Sequence, residues 1–256
     1  MVELYMPKYT PEQIEEILAG ESWLGFSMDR LRELETSIKE YVDDGYGLMG
    51  AEYASVFDEL SDVSKNQIEY FTSKVYESDP AKHRYQVLDV GAGHGTRAVH
   101  LAAQDKVNLK AIELSDYFYA RHLLELEKEG LLPFGCAMKA DMCDMPFESA
   151  TFDAIYCNTA LHHQVYLPGK NIGIEKIMSE FSRVLLKGGK LYLLTLYGDE
   201  THFRLQRFFQ SLTEESMKRL ASRNSFKIDE MKQIEGYGVF GPKTRYLEVY
   251  LTKRNV

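Results

Sequence analysis

Apolar positions along the first 40 residues recur every three to four places, the period of a helix with one buried face. Thr10-Pro11-Glu12-Gln13 supplies a helix start, with an N-cap, a proline at the first helical position and then acid and amide. Ile14, Ile17 and Leu18 follow on one face. A second helix is predicted from Met28 to Val42, carried by Leu31, Leu34, Ile38 and Val42, and Asp43-Asp44-Gly45-Tyr46-Gly47 is expected to break it. A third is predicted over Gln67–Tyr76. From residue 86 the pattern changes to short apolar runs alternating with helical ones. Strands are predicted at Gln86–Val90, Asn108–Glu113, Gly135–Ala140, Phe152–Asn158 and Lys190–Leu196. Helices are predicted at Thr96–Ala103, Asp116–Glu129 and Gly173–Leu186. Such βαβ alternation implies a parallel sheet with helices on both faces. In the tail, His202–Leu212 and Glu214–Ser222 read as helices. Phe226–Ile234 and Arg245–Thr252 read as an antiparallel strand pair joined by the loop Gly236–Pro242.

Composition narrows the class. The 256 residues suit one large α/β domain with an addition. Hydrophobic residues make up 45% and charged residues 27%, as in globular proteins. No apolar run is long enough to span a bilayer, and the N-terminus lacks the basic and apolar blocks of a signal peptide, so the cytoplasm is the expected compartment. A net charge of −9 disfavours a phosphate backbone as partner. Cys136, Cys143 and Cys157 have no C-x-x-C spacing and are expected to be reduced thiols. No His, Asp or Glu cluster has clear metal-ligand spacing, and no metal is predicted.

Candidate chemistry sits at the carboxyl ends of the strands, where an open parallel sheet binds its ligands. The first strand runs into Asp89-Val90-Gly91-Ala92-Gly93-His94-Gly95, a glycine loop whose backbone amides are suited to an anionic group. Its spacing departs from the dinucleotide pattern G-x-G-x-x-G, because Thr96 stands where the third glycine would fall. Glu113 ends the second strand, placed to accept from both hydroxyls of a ribose. Asp141 suits an exocyclic amine such as adenine N6, and Met142 offers a backbone N–H and an apolar wall. Asn158 and Thr159 end the fourth strand.

These blocks resemble those of the class I S-adenosylmethionine-dependent methyltransferases, and within them the small-molecule branch similar to the ubiquinone/menaquinone-biosynthesis enzymes. The resemblance rests on Val87–Gly95, Glu113, Asp141-Met142 with Met145-Pro146-Phe147, Thr151–Cys157, Ala160-Leu161-His162-His163 and Arg183–Leu191. It covers 86–196 strongly, the tail loosely and 1–85 not at all. It implies a Rossmann-like fold of seven mostly parallel strands, with the C-terminal antiparallel pair as the last two. Residues 1–85 are then a helical N-terminal extension or lid, and 86–256 the cofactor-binding domain. It implies S-adenosylmethionine as methyl donor and S-adenosylhomocysteine as product. Gly91, Ala92 and Gly93 would approach the methionine moiety, and Asp89 would orient that loop and the amino group. Glu113 and the adjoining Leu114 would border the ribose, Asp141 and Met142 the adenine, and Asn158 and Thr159 the sulfonium end.

His162 and His163 follow the fourth strand and are candidate bases for an acceptor hydroxyl or amine, since an imidazole titrates near neutrality. The bland alternative is a pair that shapes its loop. Aromatics are abundant, with 17 Tyr and 13 Phe. Tyr46, Tyr53, Tyr166, Phe208 and Tyr237 are expected to contribute to an acceptor pocket formed as the N-terminal region and the tail close over the crevice. Arg204 and Arg207 are read as solvated helix positions rather than as contacts to an anionic acceptor. The expected function is methyl transfer to O, N or C of a small molecule by in-line displacement. A catalytically silent cofactor-binding partner subunit and a protein or peptide methyltransferase are the alternatives. A nicotinamide oxidoreductase is disfavoured by Thr96.

Overall fold

The computed structural model describes residues 7–57, 61–131, 137–238 and 241–255. The amphipathic N-terminus forms α1 (Pro11–Ala19). The Thr10 hydroxyl accepts from the Gln13 amide while the Gln13 side chain accepts from the Thr10 amide, a reciprocal box that satisfies two helix-start donors. Next come α2 (Met28–Phe57) and α3 (Asp62–Ser78). Leu31, Leu34, Ile38 and Val42 share a buried face of α2, as their spacing predicts. The helix does not break at 43–47. It runs straight through Gly45, which is buried. A Cβ built there would overlap Cγ of Arg207, so this glycine serves a close approach between segments and not a turn.

The alternating region gives β1 (Tyr85–Val90), α4 (Thr96–Ala102), β2 (Val107–Glu113), α5 (Asp116–Lys128), β3 (Ala137–Lys139), β4 (Phe152–Asn158), α6 (Gly173–Val184) and β5 (Leu185–Leu196). The predicted third strand stops at Lys139, one residue short of its expected end, and residues 135 and 136 lie outside the described residues. Lys187-Gly188-Gly189 does not lie between a helix and a strand. It lies inside β5, which turns extended at Leu185 and pairs there with Phe152.

The tail holds the largest departure. Instead of a helix over His202–Leu212 there is a hairpin of β6 (Thr201–Arg204) and β7 (Arg207–Gln210). Its two turn residues, Leu205 and Gln206, both have positive φ, at 51° and 59°. Such turns are usually advertised by Asn or Gly, and neither is present. Beyond it lie α7 (Glu214–Arg223), β8 (Phe226–Gly238) and β9 (Gly241–Lys253). The two strands extend into the segment predicted as a loop, and they pair antiparallel.

One seven-stranded sheet has the order β3-β2-β1-β4-β5-β9-β8, parallel except where β9 pairs with β5 and β8. Successive side chains of a strand point to opposite faces, and here both faces are covered. Leu88, Ile155 and Cys157 pack under α6 and α7 with Phe181 and Leu220. Val87, Ala154 and Tyr156 pack under α3 and α4 with Phe71 and Leu101. Thus α3, which precedes residue 86, is one layer of the sheet domain. α1 and α2 build a separate apolar cluster with Val165, Leu167, Ile172 and Phe208. Among the described residues no helix is long and apolar enough to cross a membrane.

Candidate functional site

Strand order reverses between β1 and β4, and the crevice that such a switch point creates opens beyond their carboxyl ends. A cavity of about 150 Å³ lies there. The glycine loop forms its floor. Gly91 has a φ of +68°, and a Cβ on it would overlap Cβ of Ala160, so the loop can lie this close to the end of β4 only without a side chain. One expectation for the loop is corrected. The amides of Gly91 and Ala92 both donate to the Ile112 carbonyl, at 3.0 and 3.1 Å, and the Gly93 amide donates to Glu113 Oε2 at 2.8 Å. Parallel pairing of β1 with β2 draws these amides inward, so they do not stand ready for an anion.

Of the residues predicted to bind a cofactor, Gly91, Ala92, Gly93, Glu113 and Leu114 line the cavity from one side. Met142, Asn158 and Thr159 line it from another. Asp89 lies just beneath, 2% exposed, with Oδ2 making no hydrogen bond among the described residues. Burial pushes its carboxyl up to about 7, against the pull of Arg97 and with a further push from Glu113. Arg97, which sequence reasoning passed over, lines the cavity, and its Nε is also buried without a hydrogen-bond partner. Glu113 is raised by burial too, while the amides of Ser115, Gly93 and Leu114 oppose the shift.

Asp141 is not among the lining residues. Its Oδ1 accepts from the Cys143 amide at 2.8 Å, and its Oδ2 meets Lys39 Nζ of α2 at 2.7 Å. Burial works to lower the Lys39 ammonium, but Cys143, Glu35 and Asp141 outweigh it and hold the charge in place. Glu35 also accepts from the Gly173 amide, so α2 is tied to the rim at two points. Nothing in a local sequence window could have paired Lys39 with a residue 102 positions away.

Thr159 is the backbone outlier of the site, a β-branched residue at φ 57°. Such a residue is rarely left-handed, and strain of this kind collects at functional sites. Its amide is held by the Leu194 carbonyl at 2.8 Å, which fixes the bend where β4 ends.

His162 and His163 both line the cavity, and both are buried. His163 Nδ1 lies 2.9 Å from the Phe208 carbonyl, which can only accept, so Nδ1 carries the proton. His163 Nε2 therefore accepts, and the Tyr46 hydroxyl donates to it at 2.5 Å. Burial drives His163 down to about 3 and His162 well below the usual range, so both are neutral at pH 7. Tyr46 is thus in the cavity as expected. Phe208 is not. β7 alternates, so Arg207 and Phe209 face the crevice while Phe208 turns into the cluster of α1 and α2. Tyr166 also lies outside the lining, in the core beneath α6, its amide donating to Gln210. The side chains of Tyr53 and Tyr237 fall outside the described residues, as does Cys136. Cys143 and Cys157 are buried free thiols. Among the described residues no group of three or more His, Cys, Asp or Glu could hold a metal ion.

Residues 88–193 match a family described as a methyltransferase domain. The chain is 25% identical over 169 residues to the sterol 24-C-methyltransferase ERG6B of Gibberella zeae, covering 60% of this chain and 43% of that one. It is 26% identical over 188 residues to the O-methyltransferase rstn1 of Aspergillus nomiae, covering 69% and 79%. The chain spans less than half the length of the sterol 24-C-methyltransferases it matches. The geranyl diphosphate C-methyltransferase of Streptomyces coelicolor A3(2), solved with Mg2+, geranyl diphosphate and S-adenosyl-L-homocysteine, superposes with a TM-score of 0.58 at 14% identity over 73% of this chain and 80% of its own. That likeness shows the shared fold.

Proposed function

We propose that this chain is a class I S-adenosylmethionine-dependent methyltransferase that transfers a methyl group to a small organic acceptor, a reading supported by the domain match and the shared fold. One observation carries the reading. Beside the glycine loop lie a buried acid, Asp89, and a half-buried cation, Arg97, whose Oδ2 and Nε are each buried without a hydrogen-bond partner among the described residues. An α-amino acid end bears an ammonium and a carboxylate, which these groups would satisfy, and an unsatisfied buried polar atom is costly enough to call for a partner. Glu113 would then hold the ribose by exchanging its contact with Gly93. Ile112, Leu114 and Met142 would border the adenine, with Asp141 at its edge giving up Lys39 for the exocyclic amine. Asn158 and Thr159 would stand at the sulfonium end.

The bound cofactor supplies a methyl carbon already activated by its positive sulfur. The chain's own task is to align the acceptor and exclude water. Because burial disfavours its imidazolium form, His162 would orient the acceptor as a neutral hydrogen-bonding group and hold a proton only transiently, while His163, whose two ring nitrogens meet Phe208 and Tyr46, would position the Tyr46 hydroxyl. In this reading α1 and α2 act as the lid, since α2 contributes Val42, Asp43 and Tyr46 to the cavity wall, and 86–256 with α3 is the catalytic domain. A cytoplasmic setting and no nucleic-acid partner complete the proposal, the latter supported by the net charge of −9.

Isothermal titration of the purified chain tests it. S-adenosylhomocysteine should bind saturably and NAD should not. Tight NAD binding, or no binding of S-adenosylhomocysteine, would overturn the reading.

A further inference from the structure

Beyond β3 the crevice is bordered by the residues on either side of Asp141 but not by Asp141 itself. Ala140 and Met142 line the cavity, while the carboxylate between them meets Lys39 of α2. Both of its oxygens are engaged. Oδ1 closes a local turn by accepting from the Cys143 amide at 2.8 Å. Oδ2 is the oxygen left to serve a ligand, and Lys39 Nζ donates to it at 2.7 Å.

The same ammonium has a second partner. Glu35 lies one turn earlier on α2, with Oε1 3.1 Å from Lys39 Nζ. That oxygen is itself fixed, because it also accepts from the Gly173 amide at 3.1 Å and from the Cys143 thiol at 3.4 Å. Burial pushes the Cys143 thiol up, so it stays protonated and adds no charge. The cluster thus holds two carboxylates with one cation between them. The side chains of Lys39, Glu35 and Asp141 are 20%, 13% and 29% exposed, so salt screens their pairing less than it would on the surface. An ammonium has three donors, and Lys39 can release Asp141 while keeping Glu35.

We propose that Lys39 is a positioning residue that holds Asp141 toward α2 and competes with the exocyclic amine of the donor's adenine for Oδ2. The proposal rests on the methyltransferase reading above, which sets the adenine beside Met142. A neutral amine is a weaker partner for a carboxylate than an ammonium is, so the exchange lowers the affinity for the donor. When the amine takes Oδ2, Lys39 keeps Glu35, and α2 loses one of its ties to the rim. Val42, Asp43 and Tyr46 follow Lys39 at three, four and seven positions on one face of α2, and all three line the cavity. Occupancy of the adenine end is thereby coupled to the wall that α2 supplies.

The test uses the full chain at pH 8, titrated calorimetrically with S-adenosylhomocysteine and with S-inosylhomocysteine, whose purine carries a carbonyl oxygen in place of the amine. Lys39→Met keeps the stem and removes the ammonium. It should bind S-adenosylhomocysteine about threefold tighter or more, and S-inosylhomocysteine no tighter, because a carbonyl oxygen gains nothing from a bared carboxylate. Glu35→Gln removes the alternative partner and pins Lys39 on Asp141, so it should weaken S-adenosylhomocysteine by about threefold or more. Equal or weaker S-adenosylhomocysteine binding in Lys39→Met, or the same gain for both ligands, would overturn the proposal. Where Lys39→Met fails to fold, Glu35→Gln decides, and unchanged or tighter binding there would overturn it. Absence of S-adenosylhomocysteine binding in the unsubstituted chain and in Lys39→Met alike would instead defeat the methyltransferase reading itself.

Discussion

If Asp89 holds the cofactor's ammonium as proposed, cofactor affinity should depend on pH near neutrality. Its carboxyl is buried, lacks a hydrogen bond at Oδ2 and is pushed up to about 7. At that value roughly one-tenth is ionised at pH 6 and nine-tenths at pH 8. The cofactor's ammonium stays protonated across this range and binds the ionised form, so affinity for S-adenosylhomocysteine should rise about tenfold from pH 6 to pH 8. Asp89→Asn should flatten most of that slope. It also removes a charge-assisted hydrogen bond of about 2 kcal/mol, roughly a thirtyfold loss at pH 8. The ligand-free protein gives the opposite sign. Unfolded, the carboxyl titrates near about 3.9. Between the two values the fold binds the extra proton, so this group favours folding at low pH and that contribution is lost as pH climbs from about 4 to about 7. Asp89→Asn without ligand should therefore melt no lower than the unsubstituted protein at pH 8. Calorimetry at pH 6, 7 and 8 measures the slope. A pH-independent affinity in the unsubstituted chain, or an undiminished slope in Asp89→Asn, would refute the reasoning.

Two further outcomes follow from packing. Gly91→Ala forces a side chain into a left-handed backbone and against Ala160, so S-adenosylhomocysteine binding should be lost and Tm should fall by several degrees; unchanged values for both would show that the loop can relax. Leu34→Ala removes a fully buried side chain from the cluster that anchors α2, at a cost of about 2–5 kcal/mol. Amide hydrogen exchange in α2 should accelerate more than in β4, and uniform protection would argue that α2 is not a separately anchored element.

Much of the central sheet was legible because its signals are local. β1, β2, β4 and α5 fall within a residue or two of their expected bounds, since apolar runs and glycine punctuation lie within one window. The same holds for Glu113, Asn158 and Thr159, whose place at strand ends follows from where the strands stop. The β6–β7 hairpin was not legible. Its turn uses Leu205 and Gln206 in place of the residues that signal such a turn, and its aromatic spacing fits a helix as well as a strand. With the hairpin misread, Phe208 stood in for Phe209, and Arg207 was placed in solvent. Gly45 misled for a related reason. A glycine serving a close approach is indistinguishable in sequence from one that ends a helix.

The order of short patterns along the chain therefore determined by itself the strand sequence of the central sheet and the glycine loop, because each needs only neighbours in sequence. Tertiary structure decided the rest. Only folding sets Lys39 on Asp141, leaves Asp89 Oδ2 and Arg97 Nε buried without partners among the described residues, and carries Arg207 against Gly45 into the cavity wall. Burial and long-range charge are properties of a packed surface, and no window of residues encodes them on its own.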